Sequence, residues 1–247
     1  MTLFKKVKNY FSLFEISIWV VSVTLIVSSF FIFDKEQYLT LIASLIGVTS
    51  ILLNAKGNPM GQLLMVFFSL MYGYISFSFS YYGEMITYLG MTMPMAVFAL
   101  ISWIRHPYNG RKTEVEVNHI EKNELVFMVI LAAVITTVFY FILLAFNTAN
   151  ILPSTISVTT SFIAVYLTFR RSAYFSVAYA LNDIVLLILW GLASLEDIRY
   201  ISVIVCFMAF LINDIYAFYS WKKMEYRQRT YVLKNCAYLY SSKINAV

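Results

Sequence analysis

Long apolar runs separated by short polar breaks dominate the pattern along the chain. Each run is close to the roughly 20 residues that an α-helix needs to cross the hydrocarbon core of a bilayer. The eight runs lie at about 15–33, 38–54, 60–79, 84–104, 124–146, 151–168, 173–193 and 199–221. Charged residues, Asn, Gly or Pro mark their ends. The pattern therefore predicts an all-α integral membrane protein with eight transmembrane helices.

Basic residues collect in every second connection between these runs. If the N-terminus and every second connection face one side, 16 of the 18 Lys and Arg residues lie on that side. The opposite side keeps only Lys35 and Arg199 as bases. Five acidic residues accompany them, namely Asp34, Glu36, Glu84, Glu196 and Asp197. Because cytoplasmic loops are enriched in Lys and Arg, both termini are predicted to be cytoplasmic.

Two segments of the chain share an order of features. Residues 38–104 and 151–221 each hold three predicted helices, with a Thr-Ser pair, a basic turn, an acidic turn and a closing Ser-Trp. A single linker helix at 124–146 makes two such units parallel. With an extra transmembrane helix at 15–33, the predicted arrangement is one, three, one and three helices. Parallel three-helix bundles with a solute site between them are a known plan of transporters.

The other segments are predicted to lie outside the hydrocarbon core. Residues 1–14 combine basic and aromatic residues, which is typical of an interfacial segment. Residues 105–123 are expected to form a cytoplasmic loop, and residues 222–247 a basic cytoplasmic tail. The net charge of +5 is therefore a signal of topology, and nucleic acid is not an expected partner.

Composition excludes several classes of function. With 61% hydrophobic and 13% charged residues, the chain is too apolar for a soluble domain, and membrane lipid must be its solvent. The contexts of Cys206 and Cys236 suggest neither a disulfide framework nor a metal site. The sequence holds no HExxH, GxSxG, GxGxxG or P-loop motif. An enzyme is therefore not expected, and no cofactor or metal is predicted.

Two Asn-Asp pairs interrupt the apolar runs of the last two predicted helices. Asn182-Asp183 falls in the middle of the seventh helix, and Asn213-Asp214 just past the middle of the eighth. An acidic residue at the bilayer centre costs about 2.5 to 3.5 kcal/mol, so such residues usually face a cavity or a partner. One interpretation is that the pairs only join these two helices by hydrogen bonds. The other is that they bind a solute.

Further polar and aromatic positions favour the solute interpretation. Trp190 shares a helical face with Asn182, and Tyr216 lies close to Asn213 on the eighth helix. Gln62 and Tyr72 belong to a polar stripe of the third helix. The candidate substrate-binding residues are Gln62, Tyr72, Asn182, Asp183, Trp190, Asn213, Asp214 and Tyr216.

These residue types restrict the chemistry of the cargo. Aromatic faces hold flat rings and cations, amides hydrogen-bond hydroxyl groups and amides, and Asp balances positive charge. No Lys or Arg lies within the predicted spans to hold a phosphate, apart from Arg105 and Arg199 at boundaries. The expected solute is therefore neutral or cationic, ring-bearing and hydroxylated. Pro94, in the middle of the fourth helix, is a candidate hinge.

Several motifs resemble one family of transporters. They are the segment from Asn54 to Gly61, the run Tyr81-Tyr82-Gly83-Glu84-Met85, the sequence Ile101-Ser102-Trp103-Ile104, and Asn182-Asp183 with Trp190. In this order and spacing they resemble the PnuC family of nicotinamide riboside transporters. The resemblance covers most of residues 38–222. The family's tryptophan-rich motif falls on residues 174–182, where this chain has Tyr174, Phe175 and Tyr179.

The resemblance implies a fold, an activity and partners. The family is similar in fold to the SWEET sugar transporters, which have two three-helix bundles joined by one helix. It implies uptake of unphosphorylated nicotinamide riboside across the bacterial inner membrane by facilitated diffusion, with the two bundles rocking to alternate access. It also implies a homotrimer, and functional coupling to a cytosolic nicotinamide riboside kinase that traps the solute.

The site residues receive roles under this hypothesis. Three amides, those of Gln62, Asn182 and Asn213, are expected to hydrogen-bond the ribose and the carboxamide. Three rings, those of Tyr72, Trp190 and Tyr216, are expected to pack against the pyridinium ring. Asp183 or Asp214 is expected to offset its charge. Two alternatives stay open: a transporter of another vitamin or nucleoside such as thiamine, or a membrane receptor or scaffold that binds a solute without moving it.

Overall fold

A computed structural model describes residues 10–78, 81–148 and 150–244, without the side chains of 234–244. The prediction of an interfacial segment at 1–14 lies outside the described residues over positions 1–9. The prediction of a basic tail at 222–247 does so over positions 245–247.

Helices make up almost all of the described chain. The helices α1 to α8 span Leu13–Phe33, Tyr38–Ala55, Pro59–Ser78, Tyr82–Arg105, Lys122–Ala145, Ile151–Phe169, Phe175–Ala193 and Ile201–Ile244. A 3-10 turn at Ile198–Tyr200 precedes α8, and short strands β1 (Pro107–Tyr108) and β2 (Arg111–Val115) pair antiparallel. Within the described residues, eight helical segments are long and apolar enough to cross a membrane, which confirms the predicted number of spans.

The last helix is longer than the sequence pattern predicts. We placed its end at residue 221, but α8 continues to Ile244. The segment after Trp221 contains neither Gly nor Pro, so nothing in its backbone chemistry ends the helix. An ion pair between Lys222 and Glu225, 2.7 Å from Nζ to Oε2, stabilises its first turn beyond the apolar run.

The turns after α2 and α6 have the same geometry. Each ends in a residue with positive φ, Gly57 at 66° and Arg171 at 57°. In the first turn, the Asn58 N–H donates to the Leu53 carbonyl at 3.1 Å, and in the second the Ser172 N–H donates to the Leu167 carbonyl at 3.0 Å. This is the Schellman arrangement, which satisfies the last carbonyls of a helix. Equivalent turns at equivalent places support the predicted repeat.

Helix packing also follows a two-fold pattern. α2 packs on α3 and α3 on α4, while α6 packs on α7 and α7 on α8. The two sets meet where α8 packs on α2 and where α4 packs on α6. α1 packs on α2 and α8, and α5 packs chiefly on α6. The grouping into units of one, three, one and three helices stays a prediction, which these contacts support.

The connections define two ends of the helix bundle. We call the end with the α2–α3, α4–α5 and α6–α7 connections the basic end, and the opposite end the acidic end. At the basic end the β-strands cover both turns described above. The Val115 N–H donates to the Gly57 carbonyl at 2.9 Å, and the Asn118 N–H donates to the Arg171 carbonyl at 3.0 Å. One loop therefore joins the two halves of the molecule.

Candidate functional site

A cavity lies between the two sets of helices. Its free volume in this conformation is about 40 Å³, smaller than ligand pockets of roughly 300–1,000 Å³, so the helices would have to move apart to admit a ligand. All of α2, α3, α4, α6, α7 and α8 contribute to its wall, and α1 and α5 contribute none of the described lining. The lining residues are Ile51, Asn54, Met65, Phe68, Tyr88, Thr92, Ser161, Phe175, Tyr179, Asn182, Asp183, Phe207, Phe210 and Asp214.

An amide of α7 is held in place by the Thr-Ser pair of α6. The Asn182 Oδ1 atom accepts hydrogen bonds from Thr160 Oγ1 at 2.8 Å and from Ser161 Oγ at 2.9 Å. These bonds fix the side chain while its NH₂ group makes no hydrogen bond to any described residue. Asn182 therefore presents an oriented donor to the cavity.

Two carboxyl groups provide the acidic face of the cavity. Asp183 on α7 and Asp214 on α8 are 3% and 4% exposed and interact electrostatically with each other. The Asp183 Oδ2 atom is buried without a hydrogen bond to the described residues. The described lining contains no Lys, Arg or His to compensate them. The cavity is thus complementary to positive charge.

A second amide reaches the cavity from α2. The Asn54 Oδ1 atom accepts a hydrogen bond from Gln62 Nε2 at 2.9 Å. α3 approaches closely here because Gly61 has no Cβ, which would otherwise lie 2.2 Å from the Asn54 Oδ1 atom. Gln62 therefore lies behind Asn54 and orients it.

Aromatic rings form most of the remaining wall. Phe68 packs against Tyr88 and Phe210, with ring centroids 5.9 Å and 5.6 Å apart. Phe207 lies 5.6 Å from Phe210. Flat faces and edges of this kind hold planar rings and organic cations.

A tryptophan pair closes the basic end. The rings of Trp103 on α4 and Trp221 on α8 lie 5.4 Å apart, and Trp221 lies 4.9 Å from the lining residue Phe175. Each indole N–H donates to the other set of helices: Trp103 to the Thr168 carbonyl at 2.9 Å, and Trp221 to the Asn54 carbonyl at 2.7 Å. The two bonds are related by the same two-fold pattern as the helices.

An aromatic layer lies toward the acidic end. Tyr72 contacts the lining residue Tyr88 at 4.5 Å between centroids, and it also contacts Trp190 at 6.2 Å. Trp190 in turn packs against Tyr81 and Tyr200, at 5.0 Å and 5.3 Å. Aromatic layers therefore lie on both sides of the cavity, between it and each end of the bundle.

The structure separates the eight predicted site residues into four groups, of which the last, Asn213 and Tyr216, faces α1. Asn182, Asp183 and Asp214 line the cavity together. Gln62 and Tyr72 lie directly behind lining residues, and Trp190 belongs to the aromatic layer of the acidic end. The binding of solute by these residues stays a prediction, and the cavity supports it most directly for the first three.

Asn213 and Tyr216 face α1, so their binding of solute stays a prediction that the cavity does not support. The Asn213 Nδ2 atom donates to Ser22 Oγ at 2.9 Å, and the Tyr216 hydroxyl donates to Glu15 Oε1 at 2.7 Å. Both partners belong to α1, which does not line the cavity. Asn213 is one position from Asp214, and the 100° rotation per helical residue directs the two side chains to different neighbours. These residues hold α1 against α8.

Sequence reasoning missed several lining residues. Asn54 belongs to the segment that carries the family resemblance, and Phe175 and Tyr179 lie in the stretch aligned with the family's tryptophans. Tyr88 had no signal, because a π turn at Tyr88–Thr92 breaks the 3.6-residue periodicity from which helix faces are predicted.

Comparison with known proteins identifies the fold and the family. The family model described as nicotinamide mononucleotide transporter matches residues 37–223. The nicotinamide riboside transporter PnuC of Neisseria mucosa is 22% identical over 218 residues, which cover 85% of this chain and 82% of that protein. The crystal structure of the vitamin B3 transporter PnuC matches with a TM-score of 0.77 at 20% identity, covering 88% of this chain and 94% of that one.

These matches include all the helices that line the cavity. The family model begins at residue 37, after α1, and ends inside α8. The structural match confirms an all-α fold, and together with the eight apolar helices it makes the chain a multi-pass membrane protein.

Proposed function

This chain belongs to the nicotinamide mononucleotide transporter family, and on that premise we propose that it carries unphosphorylated nicotinamide riboside across the bacterial inner membrane. The nicotinamide riboside transporter PnuC among its relatives supports the choice of solute. Membership of a transporter family also agrees with the expectation that the chain is not an enzyme.

The carboxyl groups of Asp183 and Asp214 are the observation that carries the choice. A mononucleotide has a phosphate, for which proteins provide Arg, Lys or oriented N–H groups. The described lining offers two acidic residues and no basic one. These carboxyl groups disfavour a phosphate and favour the pyridinium cation of the riboside, so the chemistry of the lining suits the riboside better than the mononucleotide.

Each part of the solute has a complementary group in the wall. Asn182 provides a donor for the ribose or the carboxamide, and Asn54 lies across the cavity from it on the other set of helices. The rings of Phe68, Tyr88 and Phe207 provide faces and edges for the pyridinium. Gln62 and Tyr72 support this wall from behind.

Movement between the two sets of helices would open the cavity at one end at a time. The Trp103 and Trp221 hydrogen bonds close the basic end, and the layer around Trp190 lies toward the acidic end. We place the basic end in the cytoplasm, propose facilitated diffusion, and keep the homotrimer and the cytosolic kinase as proposed partners.

Uptake by purified protein in proteoliposomes tests the function. We expect radiolabelled nicotinamide riboside to enter faster than into empty vesicles. A tenfold excess of unlabelled riboside should abolish most of this uptake, whereas equal excesses of the mononucleotide or of thiamine should not. Binding in detergent without uptake would support a receptor, and equal competition by the mononucleotide would refute the argument from charge.

A further inference from the structure

One face of α4 is buried from the acidic end of the helix down to the cavity. Glu84 lies in the first turn, Tyr88 follows at i+4, and Thr92 lies at the other end of the π turn. The three residues are 4%, 8% and 5% exposed. Tyr88 and Thr92 line the cavity, so Glu84 lies on the same inward face, nearer to the acidic end.

Glu84 differs from the other acidic residues of this end. The Asp197 carboxylate accepts hydrogen bonds from Arg199, 2.9 Å from Oδ2 to Nε, which hold the pKa of Asp197 below its usual range. Asp34 is attracted by the same Arg199, and Glu36 is exposed. Glu84 alone is buried on the face that leads to the cavity, and it makes no ion pair with any described residue.

The surroundings of Glu84 connect it to the solute cavity. Tyr88 lies one helical turn after Glu84 on the same face of α4, and its ring is 4.5 Å from that of Tyr72. Tyr72 belongs to the aromatic layer of the acidic end, and Tyr88 to the cavity wall. A buried acidic residue without a basic partner is costly near the membrane, so its position one turn before Tyr88, on the face that leads to the cavity, favours a cation from outside the fold.

We propose that Glu84 is a specificity residue that attracts the cationic ring of the solute at the acidic end, from where the solute moves past Tyr72 and Tyr88 toward Asp183 and Asp214. This inference rests on the proposed function. It gives the path two successive negative sites, one at Glu84 and one in the cavity. Aromatic rings between them can hold a planar cation in transit.

Two solutes of similar size that differ in charge can test whether Glu84 selects a cation. Nicotinamide riboside is a cation, and its dihydro form has nearly the same size but no positive charge. In proteoliposomes we expect Glu84→Gln to lower the ratio of kcat/KM for the cation to kcat/KM for the dihydro form at least fivefold, mainly by raising KM for the cation. Glu84→Asp, which keeps the charge, should stay within twofold of the original ratio.

Glu36→Gln is the matched control, because it removes an exposed acidic residue from the same end and should leave the ratio unchanged. Persistent uptake of the dihydro form shows that the Glu84 variant is folded. An unchanged ratio in Glu84→Gln, or equal losses for both solutes, would overturn the role of Glu84. If the unaltered protein carries neither solute, the proposed function itself is refuted.

Discussion

Two asparagines that precede aspartates on neighbouring helices have different surroundings. Asn182 is 4% exposed and faces the cavity, where Thr160 and Ser161 hold its carbonyl oxygen. Asn213 is 1% exposed and faces α1, where it donates to Ser22. The same residue type therefore faces the cavity in one helix and makes a helix-to-helix contact in the other.

Alanine at these two positions should affect different properties, solute affinity at Asn182 and thermal stability at Asn213. We expect Asn182→Ala to weaken binding of nicotinamide riboside at least tenfold, about 1.4 kcal/mol, because the cavity loses its oriented donor. Asn213→Ala should keep the affinity within twofold and lower the Tm, because α1 loses a buried hydrogen bond. Calorimetric titration and thermal unfolding in detergent measure both. Weakened binding in Asn213→Ala alone would reverse the assignment.

At the scale of single residues, the sequence shows which residues are candidates for function better than it shows which neighbours they contact. The Asn-Asp pairs were recognisable because polar groups within apolar runs are costly. The side of α8 that faces the cavity was not recognisable from the sequence, because it depends on where α1 packs. Of the candidates on α8, the structure turns Asp214 to the cavity and Asn213 and Tyr216 to α1.

Among the elements, α4 departs most from regular geometry. Pro94 has no N–H to donate to the preceding turn, and its ring excludes a regular bond there. The chain adopts a π turn directly before it, in which the Met93 N–H donates to the Tyr88 carbonyl. The extra residue in this turn rotates the first part of the helix, and with it Tyr88 and Glu84, relative to the rest of α4.

Restoring the missing N–H should disturb this rotation. We expect Pro94→Ala to favour regular helix, turn Tyr88 by up to about 100° from the cavity, and reduce nicotinamide riboside uptake severalfold while the protein still folds. Pro153 lies in the first turn of α6, where no N–H is needed, so Pro153→Ala is a matched control that should leave uptake unchanged. Equal uptake by both variants and the original chain would show that the π turn is dispensable.

The first and fifth helices are anchored alike. Glu15 in the first turn of α1 pairs with Lys56 after α2, and Glu124 in the first turn of α5 pairs with Arg170 after α6. The Tyr216 and Tyr166 hydroxyls add a hydrogen bond to each carboxylate. The helix predicted as an extra one thus has the same kind of ion pair in its first turn as the predicted linker. Sequence periodicity missed this because single charged pairs leave no periodic signal.

For the whole molecule, the distribution of apolar residues predicts the fold well. The bilayer requires helices of about 20 apolar residues, so their number follows from the sequence. The β-strands at 107–115 were not predicted, since Arg111 and Lys112 interrupt any alternation of apolar residues. Their stability comes from tertiary contacts instead: buried Val115 accepts a hydrogen bond from Gln228 of α8, 3.0 Å from Nε2.

The orientation that we propose from the charges can be measured with introduced cysteines. Glu36 at the acidic end and Lys112 at the basic end are both exposed, and the natural Cys206 is buried. In a background in which Ser replaces Cys236, we expect a membrane-impermeant maleimide to label Glu36→Cys in intact cells. Lys112→Cys should react only after permeabilisation, because 16 of 18 Lys and Arg residues hold its side in the cytoplasm.

The unaltered background is the control for this labelling, since its buried Cys206 should not react in either condition. Labelling of Lys112→Cys in intact cells, with Glu36→Cys protected, would show that the molecule has the opposite orientation in the membrane. The Trp103 and Trp221 pair would then close the outer end, and Glu84 would meet the solute on the cytoplasmic side. The acidic and basic ends therefore decide which group a cation from the medium encounters first, and the proposed order of Glu84 before Asp183 requires the acidic end outside.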